Sequence, residues 1–201
     1  MNDPLSGCIR RRTLLTFLDM IAPEEAETGA PARSPDAVSD IEIRVPEPAD
    51  GVGMWRLAVE SQVLDANSRY AYVLWCRDFA ATSVVAVRGD RAVGYVTGYM
   101  RPEAPTTVVV WQVCVDASAQ GEGLAGRMLD AVYDGAPGVD RMETTITPDN
   151  DSSIRLFTSF AKRHDVPIER SDLFGRELLG DGHEPEDLYR IGPTTKGETT
   201  S

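Results

Sequence analysis

What this sequence has little of narrows its range of functions. No apolar run approaches the ~18 residues from which a membrane-spanning helix is read. Three cysteines, Cys8, Cys76 and Cys114, are too few and too odd in number for a disulfide framework. Cys76 and Cys114 fall inside apolar runs and read as small core residues of a protein kept in a reducing, cytoplasmic compartment. Two histidines, His164 and His183, lack the spacing to cysteine or carboxylate that a zinc site demands, so no metal is expected. Positive charge is scarce as well. The net charge is −12, and residues 1–40, with four basic and seven acidic side chains, carry only part of it. Such a surface disfavours nucleic acid, whose binding depends on cationic contacts to phosphates. It suits a cationic substrate or a salt-tolerant protein.

What is present divides into an extension, a core and a tail. Residues 1–40 read as a disordered or weakly structured extension. Arg10-Arg11-Arg12 before Leu14, Leu15, Phe17 and Leu18 has the outline of a twin-arginine signal. Asp19 cuts the apolar stretch short, however, and the acidic run from Pro23 to Asp40 is no cleavage region. A short amphipathic helix on a disordered linker is expected instead. The core, residues 41–192, opens with the alternating strand Ile41–Val45. Asp50 stands as N-cap before a helix whose face reads Trp55, Val59 and Val63. A polar break from Leu64 to Arg69 leads to a second helix through Tyr72, Leu74, Trp75 and Phe79. A hairpin follows, 83–88 and 92–99, joined by Gly89-Asp90. The next strand runs from Thr106 to Val115.

Beyond a glycine turn comes a helix with Leu124, Met128, Leu129 and Val132 on one face. A strand from Arg141 to Thr147, a helix capped by Asp149-Asn150-Asp151, and strand-like stretches 174–179 and 188–191 complete the order. Residues 193–201 read as a disordered tail. The order β-α-α-β-β-β-α-β-α-β-β predicts an α/β (α+β) fold, a mixed sheet with helices on both faces.

The stretch from Trp111 to Ala125 carries the clearest chemistry. A strand, a glycine turn and a helix start place free backbone N–H groups at the positive end of a helix dipole, which suits phosphate. Gly121, Gly123 and Gly126 have the G-x-G-x-x-G spacing of dinucleotide-binding folds. In those folds the glycines directly follow the strand, whereas Asp116 to Gln120 intervene here. The same residues read Gln-x-x-Gly-x-Ala from Gln120 to Ala125, which resembles the pyrophosphate loop of the GCN5-related N-acetyltransferases (GNAT). Asn150-x-x-Ser153-x-x-Leu156-Phe157 is similar to that family's second cofactor motif. The tyrosine common at its last position is Phe157 here, and Phe cannot donate a proton. The resemblance implies a GNAT fold with a mostly antiparallel sheet and acetyl-CoA as co-substrate. Its contacts would come from Val113 and Val115 on the strand, Gln120, Gly121, Gly123, Leu124 and Ala125 in the turn, and Asn150, Ser153 and Phe157.

Four separated segments narrow the resemblance further: Leu64 to Tyr72, Cys76 to Ala86, Trp111 to Val113, and His183-Glu184-x-Glu186-x-Leu188-Tyr189-Arg190. Together they resemble the L-2,4-diaminobutyrate acetyltransferases of ectoine biosynthesis over residues 41 to about 192. That resemblance implies acetyl transfer to the N4 (side-chain) amine of L-2,4-diaminobutyrate by direct attack on the thioester, in a homodimer. It places Asp65, Ser68, Tyr70, Trp111 and His183 at the substrate. An ammonium with a pKa of about 10 must be bound and deprotonated. Asp65, His183 and Glu184, each in a polar loop, are the expected catalytic groups, with Asp65 or Glu184 pairing a cation and Trp111 walling the methylene chain. An acetyltransferase for another small amine and a non-catalytic acyl-CoA-binding module remain open as alternatives.

Overall fold

A computed structural model describes residues 41–62, 64, 66–180 and 183–193. The extension over residues 1–40, nearly all of the tail, and the expected positions Val63 and Asp65 lie outside the described residues. The elements are β1 (Glu42–Arg44), α1 (Gly51–Ser61), α2 (Arg69–Asp78), β2 (Val84–Arg88), β3 (Arg91–Arg101), β4 (Ala104–Val115), α3 (Leu124–Gly135), β5 (Arg141–Ile146), α4 (Asp151–Arg163), β6 (Ile168–Phe174), α5 (Arg176–Leu179) and β7 (Glu186–Ile191). The seven strands form one sheet in the order β1-β2-β3-β4-β5-β7-β6. Only β4 and β5 run parallel; the other neighbours are antiparallel.

β2 shows why the sheet is covered on both sides. Val84 and Ala86 join one core with Leu124, Met128, Leu129 and Val132 of α3 and Phe157 and Phe160 of α4. Val85 and Val87 point the other way, to Met54, Leu57 and Ala58 of α1 and Tyr72 and Cys76 of α2. A strand buried on both faces has no polar side to alternate with, which explains the unbroken apolar run. Burying a residue such as Leu129 or Phe160 contributes roughly 1.5–3 kcal/mol.

Two bulges shape the centre of the sheet. Ala86 pairs with Gly94 and Val87 with Ala92, leaving Val93 as the extra residue on β3. Thr97 pairs with Gln112 and Gly98 with Val110, leaving Trp111 as the extra residue on β4. Such an insertion bends the strand and re-aims a side chain. Opposite the bulge sits Gly98, where a Cβ would lie 2.8 Å from Thr82 O and 2.9 Å from Val109 O. Any side chain there would push the two backbones apart. Pairing of β4 with β5 stops at Val110–Thr144, although β4 continues to Val115. The sheet therefore opens from Trp111 onward.

Some local expectations are corrected. α1 buries Met54, Leu57 and Ala58; of the expected stripe, Trp55 packs partly buried against the same core, whereas Val59 is exposed. Asp50 does not cap α1 with its side chain. Its carboxylate accepts from the Glu47 N–H at 2.7 Å and from both terminal nitrogens of Arg44, at 2.7 and 2.8 Å. The stretch 174–179 is mostly the short helix α5, and the strand before it is β6. Among the described residues no helix is long and apolar enough to cross a membrane.

Candidate active site

The loop from Asp116 to Gly123 uses its first N–H groups to close on itself, Ala119 N–H donating to Asp116 O and Gln120 N–H to Ala117 O, and then opens at its two glycines. Asp116 Oδ1 accepts from the Ser118 N–H at 2.9 Å and the Ser118 hydroxyl at 2.7 Å, closing a tight turn that buries Ala119. Those hydrogen bonds, chiefly from the Ser118 hydroxyl, and the Arg91 guanidinium hold the Asp116 carboxyl below its ordinary pKa. Gly121 and Gly123 take left-handed conformations, φ 82 and 68, which cost an L-residue roughly 1–2 kcal/mol. A Cβ on either would meet nothing within 4 Å, so the outer side of the turn is open. Leu124, 1% exposed, anchors the start of α3 in the core. Gly123, as N-cap, has no side chain to satisfy the first-turn N–H groups, which by helix geometry lack intrahelical acceptors.

A cleft of about 830 Å³ lies beside this turn, and the expected Gly121 and Gly123 are not among its lining residues. Val113 and Val115 of β4, Gln120 and Ala125 of the loop, and Asn150 and Ser153 at the start of α4 all line it. Asn150 Oδ1 accepts from the Ser153 N–H at 3.0 Å and so caps α4 at the cleft wall. The far wall comes from α1 and the segment after it, through Leu57, Glu60, Ser61 and Leu64. Size, glycine backbone and unbonded helix donors fit a diphosphate attached to a long chain. Leu124 and Phe157 do not reach this cleft; both pack in the core, Phe157 at 2% exposure, and Leu156 lines the wall instead. Cys114 also lines it, and burial, with the nearby Asp116 carboxylate, pushes its thiol up to about 11. Burial raises Cys76 to about 11 as well. Both stay protonated near neutrality, and a protonated thiol is a poor nucleophile.

The expected substrate residues are more dispersed. Ser68 caps α2, its hydroxyl accepting from the Ala71 N–H at 3.3 Å. Tyr70, on the first turn of α2, is 71% exposed. Trp111, 43% exposed, stacks on Trp75 with ring centroids 4.4 Å apart. Trp75 in turn lies 4.6 Å from Phe79, and Tyr99 meets both edge-on at 6.4 Å. His183 and Glu184 are exposed in the loop before β7, where the His183 N–H donates to Gly180 O at 3.3 Å and Glu184 pairs with Arg176. No described contact joins these two residues to Tyr70 or Trp111.

Three features were missed in the sequence. Gln112 Oε1 accepts from the hydroxyls of Tyr72 and Tyr95, both at 3.1 Å, behind β4. Trp75 backs Trp111. Glu186 Oε2 accepts from the Thr145 hydroxyl, and Thr145 is the first β5 residue beyond the last β4 pair. The H-E-x-E spacing offered Glu186 beside Glu184, but only strand pairing places it against β5.

The antiparallel pairings exclude a parallel dinucleotide-binding sheet, and Gly126 is an ordinary residue of α3. A mixed sheet opening beside β4, with a glycine turn and helix start at the opening, is the arrangement that the resemblance to the GCN5-related N-acetyltransferases implied. The chain belongs to the acetyltransferase (GNAT) family, whose model matches residues 52–161. Its relatives within that family are narrower in kind. It is 51% identical over 166 residues to the L-2,4-diaminobutyric acid acetyltransferase of Streptomyces coelicolor, covering 80% of this chain and 98% of the relative. It is 46% identical over 185 residues to that of Nocardia farcinica, covering 89% of this chain and 96% of the relative. Among solved structures it resembles diaminobutyrate acetyltransferase EctA from Paenibacillus lautus, in complex with its substrate L-2,4-diaminobutyric acid and coenzyme A. The TM-score is 0.74 at 35% identity, over 77% of this chain and 96% of that one.

Proposed function

We propose that the protein transfers the acetyl group of acetyl-CoA to the N4 amine of L-2,4-diaminobutyrate, a step of ectoine biosynthesis. The observation that carries this is the cleft between the unpaired end of β4 and α4, edged by Gln120 and Ala125, in a chain 51% identical to a diaminobutyric acid acetyltransferase. When bound, acetyl-CoA supplies an activated thioester. Backbone N–H groups from Gly121 to Ala125 would hold its phosphates, with Gln120, whose own N–H donates to Ala117 O, beside them at the cleft. Asn150 and Ser153 face the same cleft from α4. The stretch of β4 that β5 leaves unpaired, with Val113 and Val115, offers backbone groups to polarise a carbonyl.

The chain's own groups handle the amine. Trp111, backed by Trp75, walls the methylene chain and attracts a cation to its face. Tyr70 and Ser68 border it from α2, and Asp65 pairs an ammonium. Glu186, at the start of β7 and fixed by Thr145 at the opening of the sheet, accepts the proton, and His183 and Glu184 of the loop just before it orient the diamine. A protonated Cys114 is a poor acyl acceptor, which supports direct attack of the amine on the thioester. A homodimer is supported by the outer strand β6 and by α5, which expose Leu173, Phe174 and Leu178. Thiol release assayed over L-2,4-diaminobutyrate, polyamines, other amino acids and peptide N-termini tests the assignment. Turnover confined to the diaminobutyrate supports it, and CoA binding without turnover of any amine replaces it with a binding module.

A further inference from the structure

The tip of the β2–β3 hairpin carries an arginine on each side of its turn. Arg88 and Arg91 are register partners across Gly89-Asp90, and each reaches the cofactor loop. Arg91 Nη2 donates to Asp116 Oδ2 at 2.9 Å. Arg88 Nη2 donates to Glu122 Oε1 at 3.0 Å and to Oε2 at 3.3 Å. Asp116 begins the loop, and Glu122 stands between the two left-handed glycines. The turn that offers backbone donors to phosphate therefore carries a carboxylate in its middle, and an ion pair across 34 residues holds that carboxylate. Arg88 is the more enclosed of the two arginines, its side chain 28% exposed against 57% for Arg91, and its Nε is buried.

We infer that Arg88 is a positioning residue for the cofactor: by holding and neutralising Glu122 it keeps that carboxylate from repelling the phosphates of acetyl-CoA. The inference rests on the acetyl-CoA reading of the cleft. Free, Glu122 would place a negative charge beside a polyanion in a protein that already carries −12. A like charge several ångströms away in a half-exposed setting weakens binding by about three- to tenfold at low ionic strength, and salt screens the effect. An isolated surface pair with no such role would be worth only about 0–1 kcal/mol of stability and would leave cofactor affinity alone.

Calorimetric titration of CoA into the full chain, with Arg88→Gln, Glu122→Gln and the double variant, separates these cases. Arg88→Gln should bind CoA about three- to tenfold more weakly at low salt, with the deficit shrinking as salt is added. Glu122→Gln should bind at least as tightly as wild type, and the double variant should recover to the level of Glu122→Gln. S-acetylpantetheine, which lacks the phosphates, should serve all four proteins equally as donor. A double variant as weak as Arg88→Gln, or wild-type affinity in Arg88→Gln, overturns the role of Arg88 alone. A wild-type protein that does not bind CoA overturns the acetyl-CoA reading and this inference with it.

Discussion

The indole of Trp111 stacks on that of Trp75, with planes 27° apart and centroids 4.4 Å apart. A strand irregularity makes this contact. Trp111 is the unpaired residue of the β4 bulge, and the insertion turns its side chain toward α2 just past the point where β5 parts from β4.

Trp111→Ala should consequently weaken the diamine site more than the fold. Loss of a cation–π contact of about 0.5–2 kcal/mol, together with the wall, lowers kcat/KM for L-2,4-diaminobutyrate by roughly tenfold. CoA affinity should stay near wild type, and Trp111→Phe should retain part of the effect. Steady-state kinetics with a calorimetric Kd for CoA checks this, and equal losses in both would assign Trp111 to general packing.

Gly123 answers to two demands, a left-handed backbone and open space where a Cβ would stand. Gly123→Ala should cost about 1–2 kcal/mol of stability from its φ of 68 and should also weaken CoA binding. Gly135→Ala is the control. That glycine closes α3 without a left-handed φ and has open space around it, so the change should be neutral or stabilising by up to about 1 kcal/mol. Thermal unfolding and CoA titration of both variants measure the contrast.

These elements differ in how far they could be read from the chain. The buried face of α3, the Gly89-Asp90 turn and the Asn150 cap are local, written in spacings of a few residues, and the structure has all three. β6 could not be read because it is an outer strand with mostly exposed residues and no alternation from Ile168 to Phe174. The α1 face was misread because Trp55 and Val59 sit four residues apart as convincingly as Met54 and Ala58 do. Only packing against Val85, Tyr95 and Cys114 chooses between them. In the candidate site the cofactor loop was legible, whereas the bulge at Trp111 and the Thr145–Glu186 contact depend on pairing between distant strands.

The two glutamates that follow His183 should separate. Glu186→Gln removes a carboxylate fixed against β5 and should lower kcat by at least tenfold. Glu184→Gln removes an exposed partner of Arg176 and should change KM for the diamine by severalfold at most. The reverse pattern would make Glu184 the proton acceptor.

Asp116 should contribute to acid sensitivity. Its folded pKa is depressed by the Ser118 hydrogen bonds and then by Arg91. The stabilisation is therefore complete above the unfolded value of about 3.9 and is lost as pH falls through the folded value. Between pH 5 and about 3 the wild-type Tm should fall more steeply than that of Asp116→Asn. Parallel profiles would show that Asp116 is not depressed.

Mass spectrometry of the product formed from acetyl-CoA and L-2,4-diaminobutyrate tests the assigned reaction most directly. Fragmentation should place one acetyl group on the N4 amine, with no acetyl on the α-amine and none left on the protein. Acetylation of the α-amine, a stable acetyl-protein adduct at Cys114, or no acetylated diamine from a protein that binds CoA would contradict it.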